Sequence, residues 1–252
     1  PADMRAIIGE MTEAWTCEDV TIGCSGNFTI ERTLAALGRP FRLHSNDVTL
    51  YSCAIGSHFA GAPLEFHLTE MAKESYPWLA PFMGTPEDRL ATLLLGTDLA
   101  EVVRHKDAAT NLYYRRLVRG FDEQWPVLHA KTLAHLQQQT MRLASFHAGD
   151  VVDLVRDLPT AHGCISFPPF YAGGYETMFK GLDLLFEWEP PAYERFTDVR
   201  LAAMTEAVLE REHGILMTRE RLEDRSGLLR GVVQTSNRSV PIYVYSSSPV
   251  RR

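Results

Sequence analysis

Apolar positions along the chain alternate between short β-prone runs and helical stripes. Val20 to Ile22 is a β-prone run, and Gly23-Cys24-Ser25-Gly26-Asn27 follows it as a turn. An amphipathic helix then begins near Phe28 or Thr29, with Ile30, Leu34 and Leu37 at helical spacing and Gly38 closing it. The run RPFRLHSND predicts the next strand, ending at Asn46-Asp47, and VTLYSCAIGSHFAG predicts the helix after it. Strand, turn, helix, strand is the opening of a doubly wound α/β sheet.

Residues 62–144 break that rhythm. PEDRLATLLLGTDLAEVVRH and PVLHAKTLAHLQQQTMRLAS carry helical patterns, joined by aromatic and basic segments, and no strand of comparable strength is found there. This stretch is read as a mostly helical insertion between two parts of one core, 1–61 and 145–252. The rhythm resumes in SFHAGDVVDLVRDLP, a strand ending at Gly149-Asp150 and a short helix from Val151 to Leu158. HGCISF predicts a strand that runs into two prolines. FTDVRLAAMTEAVLEREHG predicts a helix capped by Thr197, ILMTRE a strand, and GVVQTSNRS with VPIYVYSSS a final strand pair.

Composition narrows the class. With 252 residues, 45% hydrophobic and 23% charged, the chain is an ordinary globular one, long enough for a single large core with an insertion. A formal net charge of -7 argues against coating nucleic acid by bulk charge and leaves room for a local basic patch. No run reaches the ~18 apolar residues of a membrane span, and no signal peptide is expected. Cys17, Cys24, Cys53 and Cys164 form no CxxC pair, which fits a cytoplasmic protein, and the nine histidines show no HxH or HxxxH pair, so no metal is expected.

Four loops carry the candidate chemistry. Gly23 to Phe28 approaches a dinucleotide fingerprint, but Ser25 stands at its second glycine and Phe28 at its third. A phenylalanine there would block the close helix–strand packing that a pyrophosphate needs, whereas a nucleoside ligand without pyrophosphate, such as S-adenosylmethionine, still fits. A plain tight turn is the other reading. Asp47, at the end of the second strand, has the spacing of a carboxylate that receives ribose hydroxyls, and is otherwise a helix cap. Asp150 is either an acceptor for an adenine amine or a cap. After the strand at HGCISF, Pro168 and Pro169 remove donors and fix the chain. Carbonyls near Phe167 and Pro168 then point outward, and Phe170 offers a face for a flat base. Acceptors beside a stacking face suit the exocyclic amine of adenine, whose lone pair is delocalised until its N–H groups are held. Such a base must leave the duplex to be reached.

GCSGNF, LHSNDVTLYS, FHAGDVVDLV and ISFPPFYAGGYETMF come in the order and spacing of the amino-methyltransferases. The chain resembles the Dam-like DNA adenine methyltransferases, and most of all the antirestriction adenine methyltransferases of phages and mobile elements. EWEPPAYERF and VVQTSNRSVPIYVYS carry that similarity too. The resemblance covers residues 15–60 and 145–248. It implies a Rossmann-like S-adenosylmethionine-dependent methyltransferase fold with a helical insertion for target recognition, acting on adenine in DNA and protecting phage or plasmid DNA from restriction. Gly23, Cys24, Ser25, Gly26, Asn27, Asp47 and Asp150 would hold the cofactor. Ser166, Phe167, Pro168, Pro169 and Phe170 would form the catalytic segment. Tyr171 and Tyr175 would lie near the base. The resemblance does not reach the insertion, where YYRRLVRG sets Arg115, Arg116 and Arg119 on or near one helical face, either a DNA-backbone patch or a solvated face.

One departure stands out. Dam-like enzymes carry Asp-Pro-Pro-Tyr, and this chain has Phe167-Pro168-Pro169-Phe170. Phe167 accepts nothing, and Ser166 is one residue too early to face the same way unless a bulge rotates it. A lost charge-assisted hydrogen bond would cost ~1.5–3 kcal/mol of transition-state binding. The alternatives are a methyltransferase-fold module that binds cofactor or DNA without turnover, an acidic antirestriction inhibitor, or an RNA substrate in place of DNA.

Overall fold

The computed structural model of the chain describes residues 2–105, 109–168, 179, 181–234 and 240–247. In chain order its elements are α1 (Ala2–Met11), β1 (Asp19–Gly23), α2 (Thr29–Ala36), β2 (Arg42–Asp47) and α3 (Leu50–Phe59). Next come β3 (His67–Leu68), α4 (Glu70–Ser75), α5 (Pro86–Val103), α6 (Leu112–Gln137), β4 (Ser145–Ala148), α7 (Val151–Asp157) and β5 (Gly163–Ser166). The last are α8 (Leu182–Leu185), β6 (Phe186–Glu187), α9 (Asp198–Leu209), β7 (Gly214–Thr218), β8 (Leu229–Val233) and β9 (Ile242–Ser246). The chain divides into two compact units: Pro1–Val48 with Met141–Gly174 and Pro191–Arg252, and Thr49–Thr140 with Tyr175–Pro190.

The first unit is built on a seven-stranded sheet of order β4-β2-β1-β5-β7-β9-β8. From β4 to β7 every pairing is parallel, and β9 runs antiparallel to both of its neighbours. The central strands are buried along their length: all of β5, all of β7 and the last four residues of β1. That is the pattern of parallel strands covered on both faces. Val152, Val155, Met204 and Val208 of α7 and α9 pack against Cys164 and Leu216 of the sheet. This is a mixed α/β fold with a mostly parallel central sheet, compatible with a Rossmann-like methyltransferase. Connections from β1 run outward through β2 to β4 and then return to β5. The strand order therefore reverses between β1 and β5, and the loops at their carboxyl ends flank the place where such sheets bind ligands.

The second unit is mostly helical. The sequence reading missed its short antiparallel pair, His67↔Glu187 and Leu68↔Phe186. It also missed that α6 runs unbroken from Leu112 to Gln137 past Pro126. An interior proline costs about 3 kcal/mol. Its neighbour Trp125 is fully buried and meets Trp78 edge-on at 5.0 Å between ring centroids, and that packing holds the helix.

Two further expectations change. Thr197 is the N-cap residue of α9, but its side chain makes no capping hydrogen bond. The buried stripe of α2 is Ile30, Glu31, Thr33 and Leu34, while Leu37 is 48% exposed. The helix ends at Leu37, and Gly38 turns left-handed just beyond it, so the stripe does not reach that far.

Candidate functional site

The turn after β1 is tightly constrained. A Cβ on Gly23 would stand 2.7 Å from Val151 Cγ2 and 2.9 Å from Ser166 Oγ, so glycine is needed here for space. Cys24, Gly26 and Phe28 all have left-handed backbones, with φ of 60°, 54° and 55°. Outside glycine that conformation costs roughly 1–2 kcal/mol per residue, and it persists where surrounding contacts over-determine it. Those contacts are specific. Ser25 N–H donates to Asn46 O at 2.9 Å, Phe28 N–H to Ser25 O at 2.9 Å, and Gly26 N–H to Asp47 Oδ2 at 2.9 Å. Phe28 is the N-cap residue of α2, fully buried, with its ring tilted against Phe146 at 6.2 Å.

Asp47 lies at the end of β2 and is 4% exposed. Besides Gly26 it accepts from Val48 N–H at 2.8 Å. It does not cap the following helix, because Thr49 does so by accepting from Ser52 N–H. Beside it, Asn46 Nδ2 donates to His147 O at 3.0 Å and Gly149 O at 2.7 Å, and Gly149 N–H donates back to Asp47 O at 3.2 Å. Asp150 caps α7, its Oδ1 accepting from Val152 and Asp153 N–H and pairing with Arg200, while Oδ2 accepts from Glu194 N–H. With three donors on Oδ1 and one on Oδ2, most of its acceptor capacity serves the protein itself.

At the end of β5, Ser166 is fully buried and its hydroxyl donates to Gly23 O at 3.3 Å. The β1/β5 register runs unbroken from Val20↔Gly163 to Gly23↔Ser166, so no bulge turns Ser166 outward. Phe167 N–H donates to Gly23 O at 3.4 Å. Among the described residues no group donates to the carbonyl of Phe167 or Pro168. Pro169, Phe170, Tyr171 and Tyr175 lie outside the described residues. The four loops read from the sequence thus meet at one rim: Gly26 bonds to Asp47, Gly149 to Asp47, and Phe167 to Gly23.

A further acid lies beneath this rim. Glu31, in the first turn of α2, is fully buried. Its Oε1 accepts from Ser45 Oγ at 2.8 Å, and its Oε2 has no partner among the described residues. Burial pushes its carboxyl up to about 7, against hydrogen bonds that lower it, and Asp47 adds to the rise. Cys24 is likewise pushed well up by burial and then by Asp47 and Asp150. The charged neighbours acting on both groups are acids. Arg200, a cation at this rim, is engaged with Asp150 and Glu194.

In the second unit, Arg115, Arg116 and Arg119 are exposed on α6. Arg119 pairs with Glu123 at 2.8 Å, and Asp122 and Glu123 share with the arginines a sector of about 120°. That face is mixed in sign. Among the described residues, no group of three or more His, Cys, Asp or Glu side chains has a metal-holding arrangement, and no helix is long and apolar enough to cross a membrane.

A mostly parallel sheet with polar side chains gathered at the carboxyl ends of β1, β2, β4 and β5 is an α/β fold with those groups at the edge where such sheets bind ligands. The comparison with known families makes this specific. The model of Phage DNA Adenine Methylase-like domain 1 matches residues 1–252, and the chain belongs to that family. No curated protein matches it, and no solved structure does.

Proposed function

We propose that the chain transfers a methyl group from S-adenosylmethionine to the exocyclic amine of adenine in DNA, and that this modification shields phage or plasmid DNA from restriction. The family supports the reaction class. The observation that carries the cofactor is the charge of the rim. Asp47 takes the Gly26 N–H that a phosphate would need, and Glu31 lies under the helix end where a pyrophosphate would otherwise bind. The Asp47 carboxylate repels a phosphate, and a buried acid with an orphaned carboxyl oxygen beside it suits a cationic ligand. When bound, S-adenosylmethionine supplies a methyl group on a positively charged sulfur. Gly23 and Gly26 let the ligand approach the backbone, Asp47 holds the ribose hydroxyls, and the open side of Asp150 Oδ2 faces the cofactor's adenine amine.

The target amine is oriented by the Phe167 and Pro168 carbonyls, with Phe170 stacking on the base and Tyr171 and Tyr175 beside it. The helical stretch within 62–144 serves as the target-recognition insertion, and Arg115, Arg116 and Arg119 touch the DNA backbone. The side-chain acceptor of Dam-like enzymes has no counterpart at Phe167, and Ser166 is committed to Gly23 O. That observation favours a second reading, a module that binds cofactor or DNA without turnover. Radiolabelled methyl transfer to unmethylated DNA and to RNA, run beside calorimetric cofactor binding, separates the two. Transfer yielding N6-methyladenine by mass spectrometry supports the enzyme, and binding without transfer supports the module. Absence of cofactor binding overturns the enzyme and leaves only a module that binds DNA.

A further inference from the structure

We infer that Glu31 is the charge-sensing residue of this rim: it gives up its proton when a sulfonium arrives, so the site holds the methyl-loaded cofactor more tightly than the neutral thioether product. This rests on the cofactor reading above. Three observations carry it. Glu31 is fully buried, with Oε1 held by Ser45 and Oε2 without a hydrogen-bond partner among the described residues, and the hydrogen bonds that favour its charged form do not offset burial. Through Asp47 and the Gly26 N–H it is coupled to the turn that the cofactor must approach. Its titration lies near neutrality, where a nearby positive charge decides its state.

The neighbours of Glu31 leave the proton few other controls. From β2 it faces Ser45 and Asp47, and from the turn it faces Ser25. The titratable groups of α1, Asp3, Arg5 and Glu10, are exposed, as is Arg32 on α2 itself. The step is a simple exchange: the neutral carboxyl and the cation combine, the carboxylate stays beside the cation, and the proton leaves to solvent. A thioether brings no charge and releases no proton. Transfer of the methyl group removes the positive charge from sulfur, so the same residue weakens the hold on the product once the reaction is over.

The test is the affinity ratio of S-adenosylmethionine to S-adenosylhomocysteine, measured by calorimetry from about pH 5.5 to 8.5. The two ligands share their nucleoside, amino and carboxylate groups, so the ratio isolates the sulfur. In the wild type the ratio should climb with pH, by up to about tenfold per unit below the Glu31 titration, and level off above it. In Glu31→Gln it should be flat. Near pH 6, titrations in two buffers of different ionisation heat should show close to one proton more released with the sulfonium than with the thioether. That measurement needs no variant and holds even if the substitution unfolds the chain. Both ligands binding with a flat wild-type ratio and equal proton release overturns the role of Glu31 alone. Neither ligand binding overturns the cofactor reading together with it.

Discussion

The two edges of the central sheet hold polar clusters of similar density and opposite character. At the amino edge, Asp19 begins β1 with bases on every side. His44 Nε2 lies 2.8 Å from Oδ1, Arg42 Nη2 lies 2.6 Å from Oδ2, and His162 Nε2 is 3.9 Å away. His44 Nδ1 passes the chain on to Ser145 Oγ at 2.8 Å. The His44 hydrogen bond, then Arg42, holds the Asp19 carboxyl below its ordinary value. At the carboxyl edge, Glu31 is driven the other way because burial meets no cation. A hydrogen-bonded Ser, His and Asp in a row is usually what attracts attention. Yet at the amino edge the acid is matched by bases, even though His162 Nδ1 has no partner among the described residues, whereas the carboxyl edge is left short of positive charge. An unbalanced cluster is the better sign of a ligand, because a ligand is what would balance it.

The largest effect that tests this contrast is at Glu31. Its folded titration, at about 7, lies above the ordinary 4.5, so between those values the folded state holds a proton that the unfolded state has lost. Stability therefore falls as pH rises from about 4.5 to 7 and is level on either side. The difference corresponds to about 3 kcal/mol. Urea unfolding at pH 5 and pH 8 should show this loss in the wild type and not in Glu31→Gln, which ought to be the more stable of the two at pH 8. A wild type equally stable at both values would mean that the carboxyl edge is compensated after all.

How much of this was visible in the residues alone follows the same line. The alternation of β-prone runs and helical stripes gave β1, α2, β2, α3, α7, β5, α9 and β7 in order and type, with β2 expected to begin three residues early and α9 to run five residues too far. The order of glycine turn, acid, Gly-Asp and proline pair gave a single rim. Glu31 was missed because TIERTL reads as an ordinary helix with its charge facing water. The available signal was that Glu31 lies three residues before Leu34, on the same side of the helix, and Leu34 is fully buried. The capping role of Asp150 was one of two readings that local pattern leaves equal, and Arg200, 50 residues on, decides where its oxygens point. The passage of α6 through Pro126 was hidden for the opposite reason: local chemistry says break, and the burial of Trp125 overrules it.

A mid-sized effect is expected at Gly23. Alanine there would crowd Val151 Cγ2 and Ser166 Oγ, both under 3 Å from the added carbon. We expect Gly23→Ala to destabilise by about 1–3 kcal/mol and to weaken S-adenosylmethionine binding at least tenfold, read by denaturation and calorimetry. Gly227 provides the control, since a Cβ there meets nothing within 4 Å. Gly227→Ala should leave both readings within error. Equal effects at the two glycines would show that the carboxyl edge is no more tightly built than the surface.

The smallest effect, and the one that tests whether the two edges are independent, is at Asp19. Its depressed titration contributes stability that is present above its ordinary value of 3.8 and is lost as pH falls through the lowered one. At neutral pH the contribution is in full force, but the partner Arg42 is 65% exposed, and ion pairs of that kind are worth about 0.2–1 kcal/mol. Asp19→Asn should therefore cost no more than about 1 kcal/mol at pH 7 and nothing further in acid, where the wild type loses the same amount. His162, whose titration burial already depresses, loses the Asp19 charge that raises it and should titrate lower still by NMR. Cofactor affinity, and its pH dependence through Glu31, should not move. A tenfold change in that affinity on substituting Asp19 would mean that charge at the amino edge reaches the ligand through β1, and the separation of a balanced edge from an unbalanced one would fail.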